Sequence, residues 1–460
     1  KSKAKKLVIA LIGDSDAKNR FRYSQIERAH SLELMNLADY VLLIKGKKLA
    51  KVIKKLKPDY LILGQEFKNK NDLEIESAIN ETKSFGGIVE FHAGVTNYSS
   101  SELLTFSEKD LTTKRLDQFN QICTKLNLDL DSFCRNIDNW KSTKLVVIGD
   151  TILDQYTLCD PLGMSAEAPV IVIKEIKSRN FIGGAAIVAA HIKSLGAQCE
   201  LISVTGNDPE SKIVQRELKN KQIKDSIIID KSRPTTFKKR YMVENQKLFR
   251  VSKLEEQTIN KDLENKLIEK IKKLIPKVKG IIISDFNYGV ITKNLLAIVN
   301  ELAKEYNVSV FADSQSSSQL GSITKFNEIA LLCPNEREAR IALQDKFSGL
   351  EFLANEIFDI CNPENLIMKL GSQGFITYAK DKSGRKYNQH FPALASNPVD
   401  QAGAGDSLLA CMALSISSGL NIMEASCLSC FMCMIAVQSI GNKPISYNQL
   451  NLRIKNYLDN

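Results

Sequence analysis

Asn397-Pro-Val-Asp-Gln-Ala-Gly-Ala-Gly-Asp406 runs straight into Ser407-Leu-Leu-Ala-Cys-Met-Ala-Leu-Ser-Ile416. The spacing predicts a short turn that feeds a long buried helix. Gly403, Ala404 and Gly405 leave backbone amides unshielded at the helix start, where N–H groups and the helix dipole favour an anionic oxygen. Asp406 follows that anion hole directly. A carboxylate there is placed to accept a proton from an attacking alcohol while the amides hold a transferring phosphoryl group. Taken alone, the same residues also suit a tight turn with Asp406 as a helix cap.

The chain upstream favours the first account. Lys144-Leu-Val-Val-Ile-Gly-Asp150, Gly280-Ile-Ile-Ile-Ser-Asp285, Val308-Ser-Val-Phe-Ala-Asp313, Ile329-Ala-Leu-Leu-Cys-Pro-Asn335 and Asn365-Leu-Ile-Met-Lys-Leu-Gly371 read as buried strands alternating with helices. Carboxylates at the same end of successive parallel strands make a rim suited to sugar hydroxyls and to magnesium held through water. Asp150, Asp154 and Asp285 are the candidate sugar ligands, with turn formation as the plainer account of Asp150 and Asp154. Gly183-Gly-Ala-Ala186 enters a helix, and Gly183 and Gly184 permit a ligand close to the backbone.

Asn335 and Glu338 stand one helical turn apart, spaced to orient the waters of a magnesium ion and a phosphate chain, with capping and a solvated helix face as competing explanations. Gly371 and Gly374 let the chain pass beneath a nucleotide. Strands at Val170–Lys174, Ile227–Ile229, Thr236–Val243 and Leu248–Ser252 are expected to form a small sheet that carries Lys238, Arg240, Asn245 and Arg250. If they face inwards, these groups meet a phosphorylated sugar beneath a lid that excludes water; if outwards, they only solubilise.

The 460 residues predict two or three domains, and a composition with 43% hydrophobic and 25% charged residues is that of a globular protein. Net charge is 63 − 53 = +10, but the lysines lie in helix faces without interleaved aromatics, which argues against nucleic acid. Ten cysteines without paired spacing point to a reducing cytoplasm. Cys427, Cys430 and Cys433 sit on one continuous apolar helix and read as small core residues. No apolar run is long enough to span a membrane.

Before Thr105 the strands Leu7–Ile12, Asp39–Ile44, Tyr60–Leu63 and Ile88–Phe91 alternate with helices, which again predicts a parallel sheet. This region resembles the cytidylyltransferase-like nucleotidyltransferases, through Arg28 within Gln25-Ile-Glu-Arg-Ala, Pro58-Asp-Tyr-Leu-Ile-Leu-Gly64, and Tyr98-Ser99-Ser100-Ser101. The resemblance implies a nucleotide site at Arg28, Gly64, Ser99, Ser100 and Ser101. The HxGH motif of that family would precede Lys1, so the domain is read as incomplete at its N-terminus and the chain as given is not credited with nucleotidyl transfer.

From Lys144 onwards the chain resembles the ribokinase-like (PfkB) carbohydrate kinases, most closely the heptose 7-phosphate kinase half of bifunctional heptose kinase/adenylyltransferases. Gly149-Asp150 with Asp154, Ser165-Ala-Glu-Ala-Pro169, Gly183-Gly-Ala-Ala186, Pro234-Thr with Lys238 and Arg240, Asn245-Gln246 with Arg250, Ser284-Asp285, Asp313, Pro334-Asn335 with Glu338, and Asp400 with Gly403-Ala-Gly-Asp406 carry the resemblance. It implies Asp406 as general base over the Gly403–Gly405 anion hole. It also implies a sugar-phosphate site at Asp150, Asp154, Gly183, Gly184, Lys238, Arg240, Asn245, Arg250 and Asp285. ATP and magnesium would be held by Asn335, Glu338, Lys369, Gly371, Gly374 and Asp400, with Glu338 reaching the metal through water. Ile187, Tyr288, Asp313-Ser-Gln315 and Gln401 depart from the family's pattern and imply an altered acceptor.

The expected architecture is α/β: a nucleotidyltransferase-type domain at 1–104, a helical linker at 105–142 and a ribokinase-like kinase domain at 143–460. Lid strands are expected around 155–182 and 227–256. The expected activity is ATP-dependent phosphorylation of a sugar or sugar phosphate, heptose 7-phosphate first, on the way to nucleotide-activated heptose for lipopolysaccharide. A homodimer through the lid is implied by the same resemblance. Two other readings are a nucleotidyltransferase with a kinase-like scaffold and a sugar-phosphate-binding protein without turnover.

Overall fold

The computed structural model describes residues 6–13, 24–34, 38–44, 48–64, 67, 72–92, 108–128, 137–244, 246–315, 323–381, 383–395 and 397–458. The chain divides into two compact units, Lys1–Lys109 and Asp110–Asn460.

In the first unit, β1 (Val8–Ile12) pairs in parallel with β2 (Tyr40–Ile44), and β3 (Tyr60–Gly64) with β4 (Ile88–His92). Helices α1 (Gln25–Leu34), α2 (Leu49–Leu56) and α3 (Leu73–Ser84) alternate with them in sequence. Asp72 starts α3 by accepting the Glu74 amide at 3.0 Å, so a turn residue fixes where the helix begins. Among the described residues the strands form two separate parallel pairs where one sheet was expected.

Helix α4 (Glu108–Lys125) begins at the end of the first unit and lies from Asp110 onwards in the second, where it is followed by β5 (Lys144–Gly149), β6 (Thr151–Met164), β7 (Ile171–Gly184), α5 (Ala185–Ser194), β8 (Gln198–Ile202), β9 (Val204–Thr205), α6 (Pro209–Asn220), β10 (Lys224–Asp225) and β11 (Ile228–Ile229). Then come β12 (Thr236–Val243), β13 (Gln246–Lys253), α7 (Lys261–Leu274), β14 (Gly280–Asp285), α8 (Lys293–Tyr306), β15 (Ser309–Ser314), β16 (Leu331–Leu332), α9 (Glu336–Leu343) and α10 (Leu350–Cys361). The unit ends with β17 (Asn365–Lys369), β18 (Phe375–Lys380), β19 (Lys386–Phe391), α11 (Ala404–Ser417), α12 (Ile422–Ala436) and α13 (Tyr447–Leu458).

The main sheet runs β10-β8-β5-β14-β15-β16-β17-β18-β19. It is parallel as far as β17, and β18 and β19 add an antiparallel edge. The strands β5 and β14 are buried almost throughout, as their unbroken apolar runs require. Helices α11 and α12 cover the sheet, and the residues from Asp406 to Ser415 are all buried. That burial explains an apolar pattern with no polar face. Cys427 and Cys430 are buried in the same core, and Cys123 Sγ lies 3.7 Å from Cys427 Sγ.

The lid is a second sheet of order β13-β12-β6-β7. Two of its boundaries differ from expectation. Ile228 and Ile229 do not join it: they pair in parallel with Val204 and Thr205, because 224–229 runs as an outer strand beside 200–205. β6 itself runs through Pro161, upstream of Val170–Lys174, the first lid strand read individually from the sequence. Pairing with β12 ends at Cys159 and register shifts lie on either side of Pro161, so the proline sits on a sheet edge, where a missing N–H is tolerated. The β18–β19 hairpin was also not read from sequence, since Lys386-Tyr-Asn-Gln-His-Phe391 is polar and largely exposed for most of its length.

Helix α4 belongs physically to the second unit. Phe119 is fully buried, with its ring edge-on to Phe431 and Tyr457 at 5.4 and 5.5 Å. Among the described residues no helix is long and apolar enough to cross a membrane.

Candidate active site

Gly403 starts α11 at φ +82°, a conformation that a side chain resists, and an added Cβ would stand 2.4 Å from Asn442 Oδ1. The turn therefore delivers Ala404, Gly405 and Asp406 onto the first turn of a helix whose remaining residues are held by the core. Asp406 is buried, and its carboxyl is pushed up to about 7, first by burial and then by the charge of Asp313. Asp154 pushes the same way, while Lys369 and Lys238 oppose it. Asp406 thus senses charges from two sides: Asp313 and Lys369 at the ends of β15 and β17, and Asp154 and Lys238 on the lid.

On the sheet side, Lys369 Nζ contacts both oxygens of Asp313, at 2.7 and 2.6 Å. Burial works against its charge, but Asp313 and Glu338 hold Lys369 protonated above the ordinary lysine value. A Cβ on Gly405 would lie 3.5 Å from this ammonium. These residues border a cavity of about 400 Å³ lined by Asn335, Glu338, Gly371, Gly374 and Gly403–Gly405, with apolar walls from Phe375, Pro392, Leu394, Met434 and Val437. Convergent amides and one ammonium beside an apolar cleft are what a phosphorylated base requires.

Asn335 and Glu338 form a reciprocal cap: the Asn335 amide donates to Glu338 Oε2 at 2.7 Å, and the Glu338 amide to Asn335 Oδ1 at 2.8 Å. Capping and cavity lining coexist here. Among the described residues, no three His, Cys, Asp or Glu side chains converge to cage a metal. Glu338, buried at the edge of this cavity, would suit an ion that arrives on phosphate oxygens and keeps its waters, as magnesium prefers.

On the lid, Lys238 is opposite Asp154, and Arg240 opposite Tyr156, so all four share one face. Arg240 ion-pairs with Asp154, whose other oxygen accepts Asn442 Nδ2 at 3.4 Å. Gly183 is close by: a Cβ there would meet Asp154 Oδ2 at 2.7 Å. Lys238 is buried with its ammonium 5.1 Å from the centroids of both Phe286 and Tyr288. Tyr288 thereby forms, with Phe286, an aromatic seat for this lysine.

The other candidates are engaged by residues around the site or lie on exposed lid strands. Asp150 caps the loop after β14: its Oδ2 accepts the Phe286 and Tyr288 amides at 2.7 and 3.2 Å, and its Oδ1 the Val290 amide at 3.3 Å. Burial and the charge of Asp285 still raise its carboxyl to about 6. Asp285 is ion-paired with Lys325 and accepts Ser314 Oγ at 3.1 Å. Gly184 makes the β7–α5 junction beside the Asp150 carbonyl. Arg250 lies opposite Arg240 on an exposed strand. Ile187 is fully buried in the core, which removes it from the site.

Asp400 joins the lid to the anion-hole loop, accepting Lys247 Nζ, the Tyr156 hydroxyl and the Ala402 and Gly441 amides. In the first unit, Arg28 donates to the Ile12 carbonyl at 3.0 Å and Gly64 ends β3. Ser99, Ser100, Ser101 and Asn245 lie outside the described residues. Sequence reading missed Tyr156, Lys247, Asn442 and Lys325, none of which ends a strand of the main sheet or follows a glycine turn in the expected motifs.

Over 315 residues the chain is 34% identical to the Bifunctional protein HldE of Campylobacter jejuni, covering 67% of this chain and 64% of that protein. The Bifunctional protein HldE of Helicobacter acinonychis is 31% identical over 317 residues, covering 67% and 66%. The chain therefore spans slightly less than two thirds of the length of these relatives. Among solved structures, Escherichia coli phosphofructokinase-2 in complex with substrates and products superposes with a TM-score of 0.57 at 16% identity, covering 69% of this chain and 100% of that one. Arabidopsis thaliana ribokinase complexed with ribose and ATP gives 0.52 at 17%, covering 68% and 99%. At such identities the likeness shows the fold, which is ribokinase-like with a large mixed sheet and a small β lid. Residues 142–446 match the pfkB family carbohydrate kinase profile, and the chain belongs to that family.

Proposed function

We propose that the second unit transfers the γ-phosphoryl group of ATP to a hydroxyl of a sugar phosphate. Heptose 7-phosphate is the leading acceptor and heptose 1,7-bisphosphate the product. The observation that carries this reading is the position of Asp406, buried where the charges of the sheet-side cavity and of the lid both reach it. A carboxyl held near 7 is partly ionised at neutral pH and is matched to taking a proton from an alcohol. The alcohol oxygen then attacks the γ-phosphorus, the bond to the β-phosphate bridging oxygen breaks, and ADP leaves.

The Gly403–Gly405 amides and Lys369 face the transferring group, and the apolar walls take the base. Magnesium held through water near Glu338 would offset triphosphate charge. Lys238 and Arg240, with Asp154, Gly183 and Gly184, form the sugar-phosphate side, and the lid excludes water. Asp150 and Asp285 support this site by holding the loops beneath it. The HldE relatives favour a heptose acceptor, and the aromatic seat at Phe286 and Tyr288 holds Lys238 on the sugar-phosphate side.

The lid's Leu158, Ile171, Ile176, Phe249 and Val251 are exposed apolar residues on one small sheet. We assign the lid, through its Phe249 and Val251 face, to a homodimer interface. For the first unit, parallel strand pairs and Arg28 at the end of β1 support a nucleotidyltransferase-type domain.

The acceptor is tested by measuring ADP release from magnesium-ATP across heptose 7-phosphates, hexose phosphates and free sugars. The highest kcat/KM should belong to a heptose 7-phosphate; a hexose phosphate or free sugar in its place would overturn the assignment of acceptor.

A further inference from the structure

We infer that Arg115, which precedes the residues matched by the family profile, is a positioning residue of the nucleotide pocket. This rests on reading the 400 Å³ cavity as the nucleotide site. Arg115 lies on α4, in the segment that the sequence assigns to a linker, yet it lines that cavity.

Its guanidinium donates through Nη1 to the Ala395 carbonyl at 2.8 Å and through Nη2 to the Ser372 carbonyl at 3.0 Å. Those two carbonyls belong to different walls. Ser372 is in the turn between β17 and β18, and Ala395 is in the loop after β19. Each wall also supplies apolar lining: Phe375 follows the first, and Pro392 and Leu394 lie in the second. A planar fork with fixed donor directions holds two carbonyls at a set separation, which a flexible ammonium does less well. Arg115 therefore sets the width of the slot that takes the flat base.

The arginine is presented from a firm base. Phe119, one turn further along α4, is buried between Phe431 and Tyr457, and Lys125 donates to Gln389 Oε1 at 3.0 Å. Phe431 belongs to α12, which lines the same cavity through Cys430, Cys433 and Met434. The helix that supports Arg115 thus packs on the helix that walls the pocket. A kinase core cut at the start of the family match would lose this clamp.

The test is made on the full chain, with Arg115→Ala and Arg115→Lys compared with the unaltered protein. ATP and inorganic tripolyphosphate are titrated calorimetrically in magnesium, and thermal unfolding is recorded without ligand. Both carbonyls are near the surface and accept water when the arginine is removed, so folding should persist. The expected result for Arg115→Ala is an ATP affinity weaker by about tenfold, about 1.4 kcal/mol lost as the slot loosens, with tripolyphosphate affinity unchanged. Arg115→Lys should recover part of that loss. Unchanged ATP affinity would overturn the inference, and so would equal weakening of ATP and tripolyphosphate together with a lowered unfolding temperature. If the unaltered chain binds no ATP, the nucleotide reading of the cavity fails and takes this inference with it.

Discussion

Lys247 Nζ on lid strand β13 lies 2.7 Å from Asp400 Oδ1, on the loop that leads into the anion hole. The other oxygen of Asp400 accepts the hydroxyl of Tyr156 from lid strand β6 at 2.8 Å. Two lid strands are thus fastened to one buried carboxylate that also holds the Ala402 and Gly441 amides. Burial would raise the Asp400 carboxyl, but Lys247, Tyr156 and these amides together hold it below the usual carboxylate value. Its stabilising contribution is present above the unfolded value of about 3.8 and is lost as pH falls through the lower folded value.

That arrangement separates two substitutions. The Lys247 side chain is 44% exposed, so Lys247→Ala should cost less than about 1 kcal/mol of stability. Tyr156→Phe removes a buried bond to a charged group and should cost about 1.5–3 kcal/mol. Both should raise the sugar-phosphate KM more than the ATP KM, because they loosen the lid. Urea denaturation and steady-state kinetics check this; equal effects on the two KM values would contradict the latch.

Asp406→Asn should lower kcat by about 10²–10⁴ while leaving ATP binding intact, since the asparagine cannot take the proton. Stability should move the opposite way. A carboxyl raised to about 7 favours its protonated form in the folded state, so its contribution is full below the unfolded pKa and is lost as pH rises through 7. Asp406→Asn should therefore unfold at a higher temperature than the unaltered protein at pH 8, with the difference vanishing near pH 4. Differential scanning calorimetry at the two pH values decides it.

The same carboxyl predicts a pH profile. Turnover should climb as pH rises through about 7 and then level off, as Asp406 ionises in the buried site. A kcat that stays flat between pH 5.5 and 8.5, tested over roughly that window, would remove Asp406 from the role of base.

Gly403 and Gly405 should fail in different ways. Gly403→Ala places a side chain at φ +82° and against Asn442, and should destabilise the protein by at least about 1–2 kcal/mol. Gly405→Ala meets only ordinary contacts, the nearest being Lys369 Nζ at 3.5 Å. It should fold normally yet lose turnover, because its methyl occupies the space beside the ammonium and anion hole. Circular dichroism melts paired with activity assays distinguish the two outcomes.

The lid's apolar residues give a further expectation. Phe249 stacks on Tyr241 with centroids 4.7 Å apart, and Val251 lies on the same face two residues along β13. Phe249→Glu with Val251→Glu should shift sedimentation velocity from dimer to monomer at micromolar concentration. A monomer before substitution would contradict the interface assigned to this sheet.

Much of this was legible in the sequence because a few residue types have narrow physical uses. Unbroken apolar runs such as Gly280–Asp285 have no exposed face and read as central parallel strands, and they are buried as expected. The Gly403–Asp406 turn was legible because left-handed backbone and bare amides call for glycine. What the sequence hid was set by distance along the chain. Asp400 meets Lys247 across 153 residues, and Arg115 meets Ala395 across 280; no local spacing encodes either. Asp150 shows the reverse limit. Its place after a strand was right, yet the amides of Phe286, Tyr288 and Val290 engage its oxygens, and those lie far downstream.

The most direct test of the central claim is phosphorus NMR of the full chain mixed with magnesium-ATP and heptose 7-phosphate, run beside Asp406→Asn. The account predicts growth of a second sugar-phosphate resonance in step with ADP, and neither signal above background with Asp406→Asn. Undiminished product formation by Asp406→Asn, or ADP release without a new sugar-phosphate resonance, would contradict phosphoryl transfer through Asp406.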